Sequence, residues 1–174
     1  MFTKQIRFYG KHADIMRKYS KDKQGADAQH FTVINNSGEK KVIYLFETIL
    51  QCYMVAAMLG IINKRTAEVD TSKSTSTANI FADILIKNKG YLERIYHHLI
   101  LSEKGNLTAD GIIKKAFTIN KGEQDELEEK RLESYVRGGL EIIDEKFSSC
   151  QTYEDVANAI IDLNEDYRVD LDES

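Results

Sequence analysis

Few residues in this chain have the types and spacing that chemistry requires, and each group has a plainer structural reading. His97 and His98 are adjacent. Neighbours on a helix diverge by about 100°, so the two imidazoles are poorly placed to bind one metal together. Four residues before His98 stands Arg94, which cannot be a ligand; Glu93 before His97 allows one Glu-His pair. The pair reads as helix surface. Cys52 and Cys150 match no metal spacing. Two sparse cysteines in a chain whose start lacks a secretion signal read as reduced thiols in a cytosolic protein. Ser72, Ser74, Thr75, Ser76 and Thr77 could offer hydroxyls to a phosphate. No glycine-rich cradle accompanies them, so they read as a linker. In EQDELEEKRLE, Glu126, Glu129 and Glu133 share a helix face with Lys130 beside them, the pattern of an exposed charged surface.

None of the motifs GxSxG, GxxxxGK[ST], HExxH, GxGxxG or CxxC occurs. No catalytic residue, cofactor or metal is therefore assigned, and an enzyme is not expected. The longest apolar stretch, Tyr44 to Ile62, is interrupted by Glu47, Thr48 and Gln51. It reads as a buried core helix rather than a membrane span.

Charge is unevenly placed. Residues 1–65 carry 11 Lys/Arg against 5 Asp/Glu, and residues 66–174 carry 13 against 23, which together give the net charge of −4. From Gln151 onward Arg168 is the one basic residue, against eight acids. A basic front and an acidic back suggest surfaces with different partners, or surfaces that meet each other in an oligomer. Lys11, Arg17, Lys18, Lys21, Lys23, Lys40 and Lys41 are the candidates for contact with nucleic acid.

The elements that would position these groups are mostly helical. The chain has 174 residues and no proline, where average usage would place about 9. Helices must therefore stop on glycine, asparagine or charge. A short amphipathic helix is predicted over Lys11 to Lys21. Phe31–Ile34 and Lys41–Leu45 flank Asn35-Asn36-Ser37-Gly38, the pattern of a small hairpin. YLFETILQCYMVAAMLG reads as a helix apolar nearly all round, ending at Gly60. Residues 66–78 read as a flexible loop, followed by a helix over Asn79–Lys87. Gly90 breaks the pattern before a helix over Tyr91–Glu103, which Gly105 closes. Thr108 or Asp110 then caps Gly111–Ile119. The longest helix runs from Gly122 to about Phe147, and Thr152 with Asp155 caps a last one. The tail, 168–174, is acidic.

Gly138 and Gly139 break the local rule, because each costs about 1 kcal/mol relative to alanine inside a helix. The pair needs a kink or another backbone pressed close, within the chain or on a partner.

Two segments resemble a known family. FETILQCYMVAAMLGIINKR and LESYVRGGLEIIDEKF are similar to the opening and closing segments of small proteins associated with Dnd DNA-phosphorothioation gene clusters. The matching positions are Phe46, Ala56, Ala57 and Gly60, then Tyr135, Gly138, Gly139, Leu140 and Glu141. The hairpin region and the helix after Cys150 have no counterpart there. The outline is also similar to the middle components of three-component bacterial defence systems, which accompany an SMC-like ATPase and an effector nuclease. Either resemblance implies a helical accessory subunit and no catalytic residue.

The expectation is therefore a mainly α chain: one helical domain over 1–174, of about six helices with a small N-terminal β-hairpin inside a basic region, 1–43. It would bind larger ATPase or nuclease subunits through an apolar groove or helix face. The surface around Tyr135, Gly138, Gly139 and Leu140 is one candidate, and the acidic C-terminal helix is another. The competing expectation is a small DNA-binding module built on the basic residues of the N-terminal third.

Overall fold

The structure, a computed structural model, describes residues 2–21, 30–71, 76–102, 108, 111, 113 and 123–166. It is mostly helical. Six helices are formed among the described residues: α1 (Gly10–Tyr19), α2 (Ile49–Ile62), α3 (Ala82–Lys87), α4 (Lys89–Leu101), α5 (Glu123–Phe147) and α6 (Tyr153–Asp166). Four short strands, β1 (Ile6–Tyr9), β2 (Thr32–Ile34), β3 (Lys40–Val42) and β4 (Thr77–Ile80), make two antiparallel pairs, β1 with β4 and β2 with β3.

Helix α2 is the axis of the core. Thr48 caps it by accepting a hydrogen bond from the Gln51 amide at 3.2 Å, and the Gln51 side chain accepts the Glu47 amide at 2.9 Å in return. Its Cys52, Ala56 and Ala57 are fully buried, with Tyr53, Leu59 and Ile61 beside them. The helix does not stop at Gly60. It continues to Ile62, where the Asn63 side chain donates to the Leu59 carbonyl at 2.7 Å and Lys64 takes a left-handed φ of 52°. Gly60 is glycine for another reason: a methyl group there would fall on the Tyr135 carbonyl of α5.

The longest helix, α5, answers with its own glycines. A methyl on Gly139 would strike the Ala56 carbonyl, and one on Gly138 the carbonyl of Arg65. The close approach that the Gly-Gly pair demands is thus made by α2 and the residues just after it. Leu132, Val136, Leu140, Ile143 and Phe147 of α5 are buried as the periodicity predicts. Leu127, near the start of the helix, stands 67% exposed.

The hairpin forms where expected, Thr32 opposite Val42 and Ile34 opposite Lys40. Asn35 closes its turn by accepting the amides of Ser37 and Glu39, and Gly38 supplies a φ of 80°. Val33 and Phe31 anchor it in the core, and the Ile34 amide donates to the Gln151 carbonyl at 2.7 Å.

The other pair, β1 with β4, departs from the sequence reading. Ile6 lies opposite Ile80 and Tyr9 opposite Thr77, where a loop to residue 78 and a helix from Asn79 were predicted. Ala78 and Ile80 point inward with Ile6 and Phe8. Four residues alternate too briefly to announce a strand, and the partner is some 70 positions away. The described part of 66–78 is also held in place. The Ala67 amide donates to the Ser134 carbonyl at 3.0 Å, and Asp70 accepts the Lys11 amide at 2.7 Å.

Gly90 sits within the first turn of α4 and breaks nothing, since Asn88 already separates α3 from α4. Thr108 accepts the Gly111 amide at 3.2 Å, as a cap would. Gly105, Gly122 and most of the helix predicted over Gly111–Ile119 lie outside the described residues, as do Lys23 and the tail 168–174. Thr152 and Asp155 exchange hydrogen bonds at the start of α6, 3.1 and 2.8 Å, and Asp155 also accepts the Gln151 amide. Thirty-two apolar side chains, drawn from all six helices described and from the strands, join in one continuous buried cluster.

The glycine contacts give opposite expectations for one substitution. Gly139→Ala should cost about 3 kcal/mol through overpacking, a fall of roughly 10 °C in Tm for a chain this long. Gly90→Ala, which meets open space, should gain roughly 0.5 kcal/mol. Thermal unfolding followed by circular dichroism distinguishes the two.

Candidate functional site

Among the described residues, most basic side chains of the N-terminal third are engaged within the chain. Lys11 pairs with Glu141 at 2.7 Å and Lys18 with Asp144 at 2.8 Å, both on α5. Arg65, just past α2, grips Glu145 with two contacts of 2.6 Å and reaches Glu141 at 3.1 Å. Lys4 meets Glu126 at 2.8 Å, Lys21 meets Glu47 at 3.3 Å and Lys41 meets Glu39 at 3.3 Å. Arg17 donates to the Ser76 hydroxyl at 3.2 Å. Lys40 lies on the exposed hairpin strand. The opposed halves of the sequence meet inside one chain, along the seam between α1 and α5.

That seam opens as a cleft of about 700 Å³, lined by Lys11, Asp14, Lys18, Arg65, Glu141, Asp144 and Glu145. Glu141 is its centre. Burial alone would raise its pKa, but the hydrogen bonds from Lys11 and Arg65 outweigh that and hold it below the usual carboxylate range. The Arg65 hydrogen bonds likewise depress Glu145. Beneath the cleft, His12 is 1% exposed, with Nε2 3.4 Å from Glu141 Oε1. Burial pushes its pKa below the ordinary 6.5, against the opposing pull of Glu141. Tyr19 is buried beside it in the same stripe and donates to Asp144 at 2.8 Å, which it shares with Lys18.

His12 carries a signal that the sequence reading missed. His12, Ile15, Met16 and Tyr19 fall at i, i+3, i+4 and i+7, so the histidine belongs to the buried face of α1. Arg65 and Asp144 had no local signal, because their partners are distant in sequence.

The remaining candidates are placed as follows. Gly138, Gly139 and Leu140 are buried, and Tyr135 is half-buried with its carbonyl against Gly60. What these residues were expected to offer a partner is taken up by the chain's own α2. The two segments that carry the family resemblance are the two sides of that one contact. Cys52 and Cys150 are separate buried thiols, and burial pushes Cys52 up to about 12. His98 is exposed and His97 half-buried on α4. Among the described residues no group of three His, Cys, Asp or Glu could hold a metal ion, and no helix is long and apolar enough to cross a membrane.

A second opening is apolar. Val55 and Leu59 of α2, Ile143 and Phe147 of α5, and Ile160, Leu163 and Asn164 of α6 line a groove of about 260 Å³ together with Leu45 and Phe46. It has room for a few aliphatic side chains and no charged group on its walls. Chemically, then, these two are a saturated ionic cleft and an unsaturated apolar one, while a third opening of about 680 Å³ beside the start of α2 mixes Lys21 and Glu47 with Met54, Phe81 and Ile84.

No family model matches the chain, and no curated protein or solved structure is significantly similar to it.

The buried imidazole sets a pH dependence. Because His12 has a lowered pKa when folded, the unfolded chain takes up its proton first as pH falls below about 6.5. Stability should therefore decline from that point downward. Glu141 and Glu145, depressed in the folded state, add a further loss as pH falls through their own lowered values. Urea titrations from about pH 8 to about pH 5 should show the first decline, and His12→Gln should flatten it. An unchanged slope in that variant would assign the decline elsewhere.

Proposed function

We propose that this chain is a non-catalytic accessory subunit, a single helical domain that binds larger proteins in a bacterial DNA-directed anti-phage defence complex. The partner classes are an SMC-like ATPase, a nuclease, or both, and the setting is the cytoplasm. The observation that carries the reading is the contrast between the ionic cleft and the apolar groove. Of the cations that could have held phosphate, Lys11 and Lys18 are engaged by acids of α5 and Lys21 and Lys41 by Glu47 and Glu39, while an apolar groove between α2 and α6 stays open. Exposed apolar surface rimmed by polar residues is a mark of protein contact.

The chemistry of individual residues supports the same reading. His12 is shut beneath the cleft, and a thiol pushed up to about 12, as at Cys52, is a poor nucleophile. The resemblance in Phe46, Ala56, Ala57 and Gly60, and in Tyr135 and Gly138 to Glu141, supports kinship through a shared helix pair. Within that pair Gly60 meets Tyr135 and Gly139 meets Ala56, which supports the groove rather than the Gly-Gly surface as the place for a partner.

Co-expression with the products of neighbouring genes tests the reading. Affinity purification should retain a large ATPase or nuclease in stoichiometric amount; a clean monomer recovered alone would overturn it. The DNA-binding alternative predicts a mobility shift with duplex DNA at about 50 mM salt, where phosphate contacts are favoured. With Lys11, Lys18, Lys21 and Lys41 ion-paired, no shift is expected there.

A further inference from the structure

We draw no further inference here: the strongest candidate, the apolar groove that Val55 and Leu59 of α2 form with Ile160 and Leu163 of α6, carries nothing beyond the accessory-subunit reading because nothing in the structure shows what covers it.

Discussion

The rest of the molecule depends on how closely α2 and α5 can approach. At Gly60 and Gly139 each helix presents a bare Cα to a carbonyl of the other, Tyr135 in one direction and Ala56 in the other. Such reciprocal contact of backbones is open only to glycine, and it brings the flanking side chains into one layer. Leu132, Val136, Leu140 and Ile143 then close over α2, whose apolar circumference no single stripe could have covered. Burying apolar surface contributes about 25 cal/mol per Å², and two helices separated by even one extra methyl group would forfeit part of it along the whole crossing. The helical cost of the Gly138-Gly139 pair is offset there.

With α5 fixed, its outer face becomes the platform on which the N-terminal third settles. Lys11, Lys18 and Arg65 each find a carboxylate on a single stretch of that helix, Glu141 to Glu145. Isolated surface ion pairs contribute little. Here Glu141 is shared among a lysine, an arginine and the buried His12, with only a fifth of its side chain exposed. A shared carboxylate of that kind fixes the orientation of α1 more than it adds stability. It also pairs part of the basic front with part of the acidic back inside the chain.

Much of this was legible in advance. The helical class, the hairpin with its Asn35 to Gly38 turn, the stripe of α5 and the cap at Thr152 and Asp155 follow from patterns spanning fewer than a dozen residues. What escaped was set by contacts distant in sequence. Ile6–Tyr9 and Thr77–Ile80 become strands because each supplies the other's backbone partners. Gly60 looked like a stop signal, since a glycine required by a neighbouring helix has the same local sequence as a glycine that ends its own. Of the site, the Gly-Gly pair was singled out correctly as a place of close approach. Its partner, a helix of the same chain, was visible only once the two motif segments were seen to face each other.

Helix α2 also has a history that its final surroundings conceal. About 70 residues separate its last turn at Ile62 from Leu132, the first α5 side chain of the buried stripe. At ordinary rates of synthesis, roughly 5–20 residues per second, some 4–14 s pass between the emergence of one and the other. During that interval the most apolar segment of the chain lacks the helix that will cover it. Nascent chains in that condition are the ones that engage holding chaperones, so the order of elements along this sequence makes its birth, more than its folded state, the moment of greatest exposure.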